Sequence, residues 1–189
     1  MSSSRDRILA ETRRLVAASG AGFSMSDVAD AAGVSRQAVY LHFPTRGRLF
    51  MALVHLMDEE SQIRDRLASA LDADDPVVAL QTFIRRWLRF AATIQPVATA
   101  LLATRTTDAD AWAAWEDRMA DLRGGHLRAT RRLADAGRLR DGVDAAVAAD
   151  LSWALTSVSV WEQLSLDRSW PARRVERQLA DAVVAAVVG

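Results

Sequence analysis

The chain has no cysteine, no lysine, four prolines and nine glycines in 189 residues. Without cysteine there is neither a disulfide nor a thiolate metal site. No apolar run approaches the about 20 residues that a membrane helix needs, and the tail VVAAVVG is far too short. The opening MSSSRDR lacks the look of a signal peptide and leads straight into an amphipathic stripe of Ile8, Thr12, Leu15 and Val16. A cytoplasmic location away from any membrane is therefore the expectation. Strand signals and low-complexity linkers are missing too. Half of the residues are hydrophobic, and alanine, leucine and arginine dominate. That composition predicts an all-α protein with a sizeable core.

Net charge is zero, but it is unevenly spread. Residues 1–50 carry seven arginines against four acids, a net +3 that leaves −3 for the remainder. Every basic residue of the chain is arginine. Arginine makes forked hydrogen bonds to phosphate and guanine, although a GC-rich coding sequence accounts for the lysine deficit itself.

The most informative stretch is SMSDVADAAGVSRQAVYLHF, Ser24 to Phe43. Ser24 and Asp27 have the spacing of a capping box. Val28, Ala29 and Ala32 form a small apolar face, and Gly33 stands where the chain must turn with positive φ. Ser35 then caps a second short helix that carries Arg36, Gln37, Tyr40 and His42 around Val39. Pro44 ends it. A short helix with long polar donors near its N-terminus suits the DNA major groove. Arg36 and Gln37 are read as base or phosphate contacts, against the alternative of merely solvated positions.

This run, with GVSRQAVYLHFPTRGRLF at its centre, resembles the signature of the TetR family of bacterial transcriptional regulators (TetR/AcrR type) over about residues 5 to 55. Arg46 stands where that family usually has lysine, and Gly47 where an acid is common, which weakens the start of the next helix. Gln37 and Ala38 replace a frequent glycine-threonine pair, so no relative's operator sequence carries over. The resemblance implies a three-helix helix-turn-helix head on a helical bundle that dimerises. It implies contacts to double-stranded operator DNA from Ser35, Arg36, Gln37, Tyr40, His42, Thr45 and Arg46. The expected division is 1–48 for the head and 49–189 for a ligand-binding and dimerisation body.

Helices are predicted over about Arg5–Ser19, Met25–Ala32 and Arg36–His42, then from Thr45, a possible N-cap, through Leu56. Ser61 to Leu71 is helical in pattern. Pro76 starts a helix that Pro96 is expected to break. Thr107 and Asp108 start another, expected to be interrupted or kinked at Gly124-Gly125 and closed at Gly137. Two helices, about Asp144–Leu164 and Pro171–Val188, follow. They are apolar on more than one side, so they predict a homodimer built from the last two helices of each subunit.

Six tryptophans raise a ligand question. Phe83, Trp87, Phe90, Leu101, Trp112, Trp115 and Met119 either line a pocket for a small apolar or aromatic effector or pack an ordinary core. Trp153 and Trp161 suit a dimer core equally. Gly20-Ala21-Gly22 opens like a dinucleotide fingerprint, but Met25 holds the third glycine position and a helix precedes it. No catalytic residues, metal site or cofactor is expected. The expected function is a ligand-responsive regulator, most often a repressor, binding a palindrome as a dimer. The alternatives are a DNA-binding regulator without a small-molecule effector, and a helical ligand-binding protein or enzyme with a vestigial head.

Overall fold

The computed structural model describes residues 3–20 and 22–189, so Met1 and Ser2 of the opening segment and Ala21 of the Gly20–Gly22 run lie outside the described residues. Among the described residues the chain forms α1 (Ser4–Ser19), α2 (Met25–Ala32), α3 (Arg36–His42), α4 (Arg46–Ser61), α5 (Ile63–Ala70), α6 (Pro76–Leu102), α7 (Ala109–Asp135), α8 (Ala145–Leu155), α9 (Val158–Glu162) and α10 (Ala172–Val187). A π-helical turn, Gln163–Asp167, follows α9. The all-α expectation holds, and so do the starts and ends of the first three helices to within a residue.

Two compact units result. One comprises Met1–Glu60 with Ile94–Asp117, the other Ser61–Thr93 with Arg118–Gly189. The first buries Ile8, Leu9, Val28, Val39, Leu49, Phe50, Leu53 and Leu101. The second buries Leu80, Phe83, Ile84, Trp87, Leu88, Val175 and Val183.

Three sequence expectations are corrected. Pro96 does not break its helix: α6 runs through it to Leu102. Proline costs one intrahelical hydrogen bond and crowds the preceding turn. Val97, Ala98 and Leu101 are buried on the far side, so packing outweighs that local cost. Gly124-Gly125 does not interrupt α7, which continues to Asp135. Gly125 instead makes room, because a Cβ there would lie 2.6 Å from Phe83 Cζ. The single helix expected over Asp144–Leu164 is divided at Thr156 and Ser157. The Ser157 hydroxyl accepts from the Val160 N–H at 3.3 Å and begins α9.

His126 of α7 lies wholly inside the second unit. Its Nδ1 pairs with Ser152 Oγ at 2.7 Å, and the ring stands edge-on to Phe83 at 4.9 Å. Nε2 is buried without a hydrogen-bond partner. Burial pushes the imidazole down from its ordinary value of 6.5 to about 3, so it is neutral in the folded chain.

Two predictions follow from these packings. Gly125→Ala should destabilise the chain by about 1–3 kcal/mol through overpacking against Phe83. Gly124→Ala, whose Cβ would meet nothing nearer than the end of the Arg128 side chain at 3.7 Å, should stabilise it by about 0.5–1 kcal/mol. Denaturant titration of both variants checks the opposite signs. For His126, the unfolded state takes up a proton below about pH 6.5 while the folded state does not, so stability falls as pH drops from there toward about 3. Between pH 7 and 5 the wild type should lose about 2 kcal/mol more than His126→Gln. Parallel pH profiles of the two would contradict it.

Candidate DNA-binding surface

Local chemistry builds the head. Ser24 and Asp27 form the expected capping box: the Ser24 N–H donates to Asp27 Oδ2 at 2.7 Å, and the Asp27 N–H donates to Ser24 Oγ at 3.2 Å. The Ser24 N–H, together with the Ser24 hydroxyl that donates to the same Oδ2 at 2.9 Å, holds the Asp27 carboxyl below its ordinary value. Gly33 has φ 61 and ψ 42, the left-handed turn that glycine enters without steric cost. The Val34 N–H then reaches back to the Ala29 carbonyl at 3.0 Å, closing α2. Ser35 starts α3 by accepting from the Ala38 N–H at 3.1 Å. Phe43, extended before Pro44, ends it.

One residue, Val39, anchors α3 in the core of its unit, and Phe43 is buried just beyond. Ser35, Arg36, Gln37, Tyr40, Leu41 and His42 are exposed. The Arg36 guanidinium lies over the Tyr40 ring at 5.5 Å, a contact that orders both donors on one face. Leu41 was not among the sequence candidates, yet it is 82% exposed. Its signal was there to read: it lies two residues from Val39, about 200° around the helix, and one turn beyond Gln37.

Thr45 and Arg46 differ from the others. The Thr45 hydroxyl starts α4 by accepting from the Arg48 N–H at 3.1 Å. It also donates to Asp108 Oδ2, and the Gly47 N–H donates to the same carboxylate. The α4 N-terminus therefore already holds an acid. The Gly47 and Arg48 N–H groups there thus have acceptors within the protein. Arg46 is half-buried, its guanidinium lying over Phe23 at 4.9 Å and Phe50 at 5.1 Å. Burial pushes its pKa below the ordinary value. Gly47 itself belongs to a close approach: a Cβ there would fall on Asp108 Oδ2 and lie 2.5 Å from Ala111 Cβ.

The seven pocket candidates divide between the units. Leu101 and Trp115 are buried in the first, where half-buried Trp112 carries the Arg105 guanidinium at 4.6 Å. Phe83, Trp87, Phe90 and half-buried Met119 belong to the second. There Trp87 and Phe90 are 6.1 Å apart, Trp87 Nε1 donates to the Thr156 carbonyl at 2.7 Å, and the Arg118 guanidinium lies over both rings. Among the described residues no group of three or more His, Asp or Glu is placed to hold a metal ion, and no helix is long and apolar enough to cross a membrane.

Residues 8–53 match the family model of bacterial regulatory proteins, tetR family. No curated protein gives a significant match. Among solved structures, a putative transcriptional regulator from Saccharomonospora viridis in complex with choline has a TM-score of 0.75 at 19% identity, covering 98% of this chain and 97% of that one. NalD, the secondary repressor of the MexAB-OprM multidrug efflux pump in Pseudomonas aeruginosa, has a TM-score of 0.68 at 21% identity, covering 98% and 96%. The SmeT–triclosan complex has a TM-score of 0.70 at 18% identity, covering 98% and 92%. At these identities the likeness is one of fold. Residues 8–53 thus carry a head that matches the tetR-family model, and the chain shares its fold with these structures along nearly its whole length.

Proposed function

We propose that the chain is a ligand-responsive repressor that binds a palindromic operator as a homodimer, with residues 1–48 as the reading head and 49–189 as the ligand-binding and dimerisation body. The observation that carries the reading is the exposed face of α3: Arg36, Gln37 and Tyr40 are solvent-exposed around a single buried anchor, Val39. Ser35, Arg36, Gln37, Tyr40 and His42 are the proposed DNA contacts. Arg36 and Gln37 read base edges, and the Tyr40 hydroxyl and His42 reach phosphate. Thr45 and Arg46 are proposed at the phosphate backbone, in supporting roles, since Thr45 bonds Asp108 and Arg46 packs on two rings. Leu41 joins them as an apolar contact suited to a thymine methyl.

Dimerisation through α8 and α10 is favoured by Val147 and Leu151, one turn apart on α8 and 47% and 40% exposed. A two-fold pair would place its α3 helices about 34 Å apart, one turn of duplex. The likeness to a choline complex and a triclosan complex supports a small-molecule effector, and the likeness to NalD supports repression. The candidates for lining an apolar effector site are Leu101, Trp112 and Trp115 in the first unit and, separately, Phe83, Trp87, Phe90 and Met119 in the second. Such an effector acts only through its differential affinity for DNA-competent and incompetent geometries.

Recovery of bound fragments from a random duplex pool tests the reading. Gln37→Ala should weaken binding to the recovered operator by about 1–3 kcal/mol while leaving affinity for random duplex unchanged. Arg36→Ala should lose a comparable amount. Operator affinity that survives both substitutions would reject the reading. Replacing operator thymines one at a time by deoxyuridine should weaken the wild type at one position and leave Leu41→Ala indifferent there. Equal losses in both proteins would remove Leu41 from the interface.

A further inference from the structure

We infer that Asp108 is a positioning residue for the reading head: one carboxylate caps α7 and α4 together, and so fixes the angle at which α4 delivers α3 to the duplex. This rests on the DNA-binding reading above.

Asp108 precedes α7, and its Oδ1 accepts from the Ala111 N–H at 3.1 Å. Its Oδ2 takes the Thr45 hydroxyl, and the carboxylate also takes the Gly47 N–H. Thr45 and Gly47 belong to the start of α4, 63 and 61 residues earlier in the chain. The other caps of the head act on their own helices alone: Ser3 on α1, Ser24 on α2, Ser35 on α3. The approach is close enough to require glycine, because a Cβ on residue 47 would run into both Asp108 and Ala111. An exposed ion pair, Arg48 Nη2 to Asp110 Oδ2 at 2.8 Å, crosses between the same two helix starts.

The connection from α4 to α3 is short. Phe43, Pro44 and Thr45 are the whole of it. Phe43 is buried, and Pro44 has a φ fixed by its ring. A tilt in the first turn of α4 is therefore transmitted to Arg36 and Gln37 with little slack. Asp108 is itself buried, only 9% exposed. Burial pushes its carboxyl up, but the hydrogen bonds from Thr45 and from the Ala111 and Gly47 amides, with the charge of Arg48, outweigh that and hold it below its ordinary value. The carboxylate stays ionised and able to accept from both helices.

The test uses the full chain and the operator recovered from the random pool. Asp108→Asn keeps the shape but turns an acceptor into a donor facing Thr45 or Gly47. Gly47→Ala pushes the two starts apart and leaves every capping side chain in place. Each should lower operator affinity about tenfold by depleting the competent geometry, with affinity for random duplex unchanged. Each should also select half-sites of broadened separation from the pool, a readout that a merely stabilising residue would not move. Should Asp108→Asn lose its helical circular dichroism, Gly47→Ala carries the same comparison. Wild-type affinity and wild-type spacing in the folded variants would overturn the inference. A wild-type protein that selects no sequence, or an Arg36→Ala variant that binds as well as wild type, would instead overturn the DNA-binding reading beneath it.

Discussion

A helix leaves the N–H groups of its first turn without partners inside the helix, and a protein must supply acceptors for them. Side-chain oxygens do so here with unusual regularity. Ser3, Ser24, Ser35, Thr45, Asp75, Asp108, Asp144 and Ser157 each accept from the first turn of the helix that follows. Among the described residues, the α-helices that lack such a cap are α5, entered from Gln62 at φ 50, and α10, entered from Pro171. A chain poor in glycine and proline has few other ways to say where helices begin. In the head these caps decide which face of α3 is presented, since α3 is seven residues long and has a single buried side chain. A helix that short is not stable by its own propensity. Its orientation is inherited from the turn before it and the helix after it.

Much of this was legible in the residues. Ser24 and Asp27, Gly33, Ser35 and Pro44 each act within a few positions, and each does in the fold what its spacing predicts. Local chemistry of this kind is what a single sequence encodes most directly. Pro96 and Gly124-Gly125 were misread for the opposite reason. Their local preference is to end a helix, but long-range packing overrides it. The neighbour that explains Gly125 is Phe83, and nothing in the sequence places those two together.

The same distinction applies to the candidate site. The exposed face of α3 follows from helical periodicity around Val39, and Leu41 was findable by the same rule. Gly47 was read as a weak start to α4, whereas it permits a close approach by Asp108 and Ala111, which no local pattern reveals. Thr45 was readable as a cap but not as the donor to a carboxylate far along the chain. Arg46 was readable as a cation in the lysine position of the resemblance but not as one that packs on Phe23 and Phe50. Where a residue acts through its neighbours in sequence it could be read, and where it acts through a tertiary partner it could not.

The shared cap of α4 and α7 is the point on which the account is most exposed, and amide hydrogen exchange addresses it without reference to DNA. If one carboxylate serves both helix starts, the Gly47 and Ala111 amides should open with the same free energy in the wild type. Both should then exchange faster, by a similar factor, in Asp108→Asn. Faster exchange at Ala111 with Gly47 unaltered would mean that Asp108 caps α7 alone, and that α4 takes its direction from something else.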